Sequence, residues 1–316
     1  MDPTSFRAAL ETDNLVLDGG LATELEAQGA DLSDALWSAG ILADDPDRIT
    51  SAHLAYYRAG ARVATTASYQ ATFEGFARRG IGREAAAALM RRSVELAADA
   101  RAGVYGERRD EPASGVRDDL FVAGSIGPYG AMLADGSEYR GRYGLSVAQL
   151  RDFHRDRLAV LAGTPADVLA VETIPELDEA VAVVELLGAI EAAAWVSFSC
   201  ADGRRLGSGA PIEEAVAAID GASGVVAIGV NCTAPAHIEE LVTRIGTATA
   251  LPIIAYPNSG EGWNAARKAW TGAPGGRVDA AAARRWLAAG ARAIGGCCRV
   301  TPDQVRGLAE GLRASA

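Results

Sequence analysis

Lysine is almost missing from this chain: of the 30 Lys and Arg residues among 316, Lys268 is the single lysine. No Gly-Lys-Ser or Gly-Lys-Thr occurs, so a Walker-type phosphate loop is excluded. A Schiff-base aldolase or a pyridoxal-phosphate enzyme would have to rely on Lys268, in an Arg- and Trp-containing segment that reads as exposed helix or loop. Positive charge as a whole is in deficit. The net charge of -11 repels phosphate backbones and anionic lipid, so neither nucleic acid nor a membrane surface is expected as a partner, and small molecules are. No apolar run approaches the roughly 18 residues of a membrane span, and the first 14 residues mix Asp, Glu and Arg where a signal peptide has its apolar core. A cytoplasmic protein is expected. Cysteines are few, four in all with two adjacent, which does not suit a secreted disulfide framework; in a reducing compartment such thiols bind metal or react.

What is present is a repeat of short apolar runs, each followed by helical periodicity. Candidate strands cover residues 15–18, 63–66, 121–124, 168–171, 194–198, 225–230, 253–256 and 293–295. Amphipathic stretches at 46–59, 83–102, 147–162, 176–187, 211–219, 236–245 and 279–289 fall between them. Eight βα units with strands apolar on both faces predict an α/β fold, a single (β/α)8 barrel domain spanning residues 1–316. Two connections after strands are long, 126–144 and 257–278; the first has a polar, aromatic, lid-like composition. Residues 103–119 read as a charged surface loop on the opposite face. Nothing resembles an extended interface, which favours a monomer.

In such a barrel the chemistry gathers at the C-terminal ends of the strands. Those ends carry Asp18, Thr65, Ser125, Glu172, Cys200, Cys232, Asn258 and the Cys297-Cys298 pair. Buried carboxylates there need partners. Cys232 ends the sixth strand and Cys297 and Cys298 the eighth, so the three can face one another across the mouth, where vicinal thiolates are better used on a soft cation than on each other. Three thiolates suit zinc; the alternative is that they pack as small buried residues. Cys200 or His237 as a fourth ligand would turn an open site into a structural one, while His53 and His154 read as packing or surface residues in helices. Zinc held by three sulfur anions acidifies water weakly but binds a thiol as a still nucleophilic thiolate, which suits alkyl transfer to sulfur. A zinc hydrolase and a non-catalytic structural-zinc or dithiol redox protein are the competing readings.

Together, Asp18-Gly19-Gly20, Ser68-Tyr69-Gln70, Gly124-Ser125-Ile126-Gly127-Pro128-Tyr129-Gly130, Val171-Glu172-Thr173-Ile174-Pro175, Gly229-Val230-Asn231-Cys232, Tyr256-Pro257-Asn258-Ser259-Gly260 and Gly295-Gly296-Cys297-Cys298-Arg299 resemble the homocysteine S-methyltransferase family, in the branch using S-methylmethionine or S-adenosylmethionine. The resemblance implies that Cys232, Cys297 and Cys298 hold a catalytic zinc with homocysteine sulfur in the fourth position. It further implies that Asp18 and Glu172 meet the homocysteine amino group, that backbone around Ser125 helps with its carboxylate, and that Tyr69, Tyr129 and Asn258 lie toward the methyl donor. The expected partners are therefore homocysteine and a small sulfonium, with S-methylmethionine favoured and methionine as product. Long family members that take methyl from methylcobalamin carry further domains and betaine-dependent ones a C-terminal extension, whereas this chain ends about 18 residues past Cys298. A Rossmann fingerprint is absent too, since the glycines from Gly124 to Gly130 have the wrong spacing.

Overall fold

The computed structural model describes residues 3–32, 38–108, 119–265, 267 and 269–313; Lys268 and residues 109–118 lie outside them. Eight parallel strands form one sheet: β1 (Leu15–Val16), β2 (Val63–Thr65), β3 (Phe121–Ile126), β4 (Val168–Ile174), β5 (Ala194–Phe198), β6 (Val225–Asn231), β7 (Ile253–Tyr256) and, after a two-stranded hairpin of β8 (Gly262–Asn264) and β9 (Ala269–Thr271), β10 (Ala291–Ile294). The order is β1-β10-β7-β6-β5-β4-β3-β2. A parallel bridge between Leu17 and Val63 joins its two edges, with the Asp18 amide donating to the Val63 carbonyl at 3.0 Å. The sheet is a (β/α)8 barrel, and each of the eight anticipated runs contributes a strand.

Strand residues alternate between two apolar layers. Val122, Leu169, Val171, Val196, Ile228 and Val230 pack outward under the helices, whereas Val63, Ala123, Val168, Ala170, Trp195, Ala227 and Ile254 fill the barrel. This parity positions the site: two residues beyond Ala123 and Ala170 on the same inward face come Ser125 and Glu172.

Helices Pro46–Arg58, Val147–Ala162, Leu177–Ile190, Ile212–Ile219, Pro235–Ala248 and Ala280–Ala288 fall where the periodicity puts them. Their starts carry recognisable caps: Ser146 and Gln149 form a capping box, and Asp279 accepts from the Ala282 amide. Helix Arg83–Arg108 runs further than expected, so residues 103–108 are helical and not loop. The N-terminal helix Pro3–Thr12 is also beyond the sequence reading. It lays Phe6 and Leu10 into the base of the barrel, with Phe6 stacked on Trp195 at 5.7 Å and edge-on to Phe121 at 5.4 Å. No described helix is long and apolar enough to cross a membrane.

Candidate active site at the barrel mouth

At the end of β1 the chain makes a tight approach to the turn after β10. A Cβ on Gly20 would stand 2.8 Å from the Cys297 carbonyl, so glycine is needed for the two segments to touch. Tyr56 clamps this junction, its hydroxyl lying 2.9 Å from the carbonyls of both Gly20 and Val300. Asp18 is buried there, and its carboxylate accepts from the Thr65 amide at 2.7 Å and from the Thr65 hydroxyl.

The strand β4 changes register between Val171 and Ile174, the position of Glu172 and Thr173. Thr173 there has a left-handed φ of 63°. Such an irregularity re-aims side chains at a strand end. Asn231 supports it from β6, accepting from the Thr173 amide at 2.7 Å and donating to the Thr173 hydroxyl at 2.8 Å. The next residue, Cys232, is itself left-handed, with φ 47°. Glu172 accepts a hydrogen bond from the Ser125 hydroxyl and bonds to Tyr256. The Tyr256 oxygen in turn receives the Trp195 indole N–H at 2.9 Å, which anchors the mouth to the barrel interior.

The three cysteines converge. Cys232 Sγ lies 2.8 Å from Cys297 Sγ and 3.6 Å from Cys298 Sγ, and the last two are 4.0 Å apart. Sulfurs at tetrahedral positions about 2.3 Å from a zinc ion are about 3.8 Å apart, a value the two longer separations bracket. The donor set therefore fits zinc, with the Cys232–Cys297 pair closer than that edge. Among the described residues this is the one group of three or more His, Cys, Asp or Glu side chains that can hold a metal. Cys200 and His237 are not in it, which leaves no fourth protein ligand among them; the Cys200 amide is engaged by the Thr233 hydroxyl at 2.9 Å. Hydrogen bonding among the three sulfurs pulls the Cys232 thiol well below its ordinary value and holds those of Cys297 and Cys298 well above theirs. The Tyr139 hydroxyl is also within reach of Cys232 Sγ, at 3.6 Å.

Burial raises the carboxyls at the mouth. It pushes Asp18 up to about 8 against the hydrogen bonds from Thr65, and Glu172 up to about 7 against those from Ser125 and Tyr256. A ligand ammonium would reverse both shifts.

One cavity connects these groups. Of the residues singled out from sequence, Cys232, Cys297, Cys298, Glu172, Ser125 and Tyr69 line it. Asp18 sits behind Thr65, and Asn258 stands behind Cys232, donating to its carbonyl at 3.0 Å. Tyr129 is not in the lining; its ring packs on Tyr143 at 5.2 Å and Phe153 at 4.9 Å. Sequence reasoning did not single out Thr65 as the partner of Asp18, nor Glu26, Glu138, Tyr139 and Trp270 as lining residues. For Glu138 and Tyr139 the signal was the lid-like composition of 126–144. His53 and His154 are fully buried in helices away from the mouth, His53 without a hydrogen-bond partner and His154 bonded to Glu179 at 2.8 Å and to Arg157 at 3.0 Å.

The homocysteine S-methyltransferase profile matches residues 15–312. The Escherichia coli (strain K12) protein named homocysteine S-methyltransferase is 47% identical over 308 residues, covering 96% of this chain and 97% of its own. A Brassica oleracea protein named selenocysteine Se-methyltransferase is 45% identical over 301 residues, covering 93% of this chain and 87% of its own. The crystal structure of the Escherichia coli homocysteine methyltransferase in its metallated form superposes with a TM-score of 0.85 at 45% identity, covering 96% of this chain and 99% of that one. With the barrel, the three converging thiols and these matches in hand, the chain belongs to the homocysteine S-methyltransferase family of enzymes.

Proposed function

We propose that this protein transfers a methyl group from a small sulfonium, S-methylmethionine in preference to S-adenosylmethionine, to the sulfur of homocysteine. The observation that carries this reading is the triad of Cys232, Cys297 and Cys298 at the rim of an acidic cavity, in a chain of this family. Cys232, Cys297 and Cys298 would hold zinc, which supplies a position where an incoming thiol is bound as thiolate at neutral pH. Asp18 and Glu172 receive the acceptor's ammonium, while Thr65, Ser125 and Tyr256 fix those carboxylates in place. The acceptor thiol gives its proton to solvent. Its sulfur then attacks the methyl carbon in line with the departing sulfide; the new S–C bond forms as the sulfonium S–C bond breaks. With S-methylmethionine as donor both products are methionine.

A thiolate and a sulfonium neutralise each other as they react, so a dry cavity favours the transition state over the separated charges. Alignment of the three centres supplies much of the remaining acceleration. The test is methionine formation by reduced, zinc-loaded protein given homocysteine with each sulfonium in turn. Methionine appearing faster from S-methylmethionine is expected. No methionine from either donor, or ester cleavage without any thiol, would overturn the reading. Selenohomocysteine belongs in the same assay, since a relative at 45% identity is named for a selenium acceptor.

A further inference from the structure

The reaction brings two substrates to one cavity, and their positive charges outnumber the carboxylates accounted for so far. The acceptor carries one ammonium, which the reading above assigns to Glu172 in the lining and Asp18 behind Thr65. The donor carries an ammonium and a sulfonium. No described residue lining the cavity is basic, and one further buried acid lines it: Glu138, 8% exposed.

Glu138 differs from the other two acids in its bonding. Asp18 and Glu172 are each held by hydroxyl or amide donors, whereas Oε2 of Glu138 has no hydrogen-bond partner. The fold nevertheless fixes its position. It sits in a single helical turn, Ser137–Tyr139, whose backbone packs so closely on Gly130 that a Cβ there would lie 2.4 Å from the Glu138 amide. The Glu138 carbonyl also accepts from the Ser199 hydroxyl at 3.1 Å, which ties the turn to the end of β5. The guanidinium of Arg140, two residues on, is exposed and faces Asp135 at 3.9 Å. Burial without a partner pushes the Glu138 carboxyl up to about 7. A buried carboxylate in that condition is costly unless a cation arrives to pair with it. The same cavity is lined by the rings of Tyr69, Tyr139 and Trp270. Ring faces attract a cation without the hydration that a sulfonium would have to shed.

We propose that Glu138, with the rings of Tyr69, Tyr139 and Trp270, forms the subsite that binds the positively charged methyl donor. This assignment rests on the methyl-transfer reading above and goes beyond it by naming a specificity-determining acid. Glu138 binds the donor without taking part in bond making, since an anion beside the sulfonium stabilises the ground state more than the charge-dispersed transition state.

The test uses the zinc-loaded full chain and compares wild type with Glu138→Gln, varying S-methylmethionine at saturating homocysteine and then the reverse. The donor KM should rise at least tenfold, with the homocysteine KM within about twofold and kcat within about threefold. Glu138→Asp should recover part of the loss, and equilibrium dialysis should show weaker S-methylmethionine binding in Glu138→Gln. If that variant fails to fold, Trp270→Ala on the hairpin should give the same one-sided rise in donor KM. A rise in the homocysteine KM instead, or no change in either, overturns the assignment while leaving the reaction standing. Absence of turnover by wild type with any sulfonium overturns the reaction and this assignment with it.

Discussion

The two ends of the barrel are made from the same strands and could hardly differ more. At the base, Phe6, Leu10, Leu15, Phe121, Val168 and Trp195 close the interior as one apolar cluster, from which the Trp195 N–H alone reaches up to Tyr256. Two to four residues further along, the inward positions hold Ser125, Glu172, Ser197, Asn231 and Tyr256, the backbone turns left-handed at Thr173, Cys232 and Arg299, and three thiols crowd together. The N-terminal helix plugs one end, and the other opens into the cavity that the three cysteines and Glu172 line. Stability is thus concentrated at the base, and the mouth keeps buried carboxylates and strained residues that the base offsets.

That division fails or holds by measurement. The largest effect is expected at the mouth: Cys298→Ala should cost at least about a thousandfold in methyl transfer and lose stoichiometric zinc. Its helical circular dichroism should stay near wild type. At the base, Phe6→Ala should lose about 3 kcal/mol of unfolding free energy, as emptied aromatic core sites do, with both KM values unchanged. A shift in substrate KM there would show that the two ends are coupled. Glu172→Gln should act in the opposite sense. It should weaken homocysteine binding by one to two orders of magnitude, yet stabilise the metal-free protein at pH 8 by about 1 to 3 kcal/mol, because the buried carboxylate no longer has to ionise.

The pH dependence of stability tests the same division without any substitution. The folded protein holds protons on Asp18 and Glu172 up to about 8 and about 7, above their ordinary 3.8 and 4.5. These two groups therefore contribute stability that is fully present below about pH 4 and is lost as pH rises through 7 to 8. Denaturant titrations of reduced, metal-free protein should show that decline, and Glu172→Gln should remove the smaller part of it while leaving the part that Asp18 contributes.

Much of this was readable from the residues. Apolar runs such as residues 168–171 and 225–230 can only be strands buried on both faces, and counting them gave the barrel. Strand ends then picked out Glu172 and the three cysteines, because barrel topology places those ends together whatever their distance in sequence. What escaped reading depended on contacts that no local pattern encodes. Phe6, Ala9 and Leu10 do have helical spacing, but only the fold shows that their face meets an open barrel base. Glu138 was one polar residue among many in 126–144, and its burial is set by Gly130, eight residues earlier in the same stretch, and by Ser199 at the end of β5. Tyr129 and Asn258 illustrate the converse: a motif places them near the mouth, and the packing shows one against Phe153 and the other behind Cys232.

The central claim is that Cys232, Cys297 and Cys298 form an open zinc site whose remaining position takes the acceptor thiol. Zinc X-ray absorption on reduced protein, with and without homocysteine, addresses it most directly. The account predicts about one zinc per chain with three sulfur neighbours and one light atom, changing to four sulfurs when homocysteine is added. Four sulfurs before any homocysteine is added, or a first shell that homocysteine leaves unchanged, would contradict it.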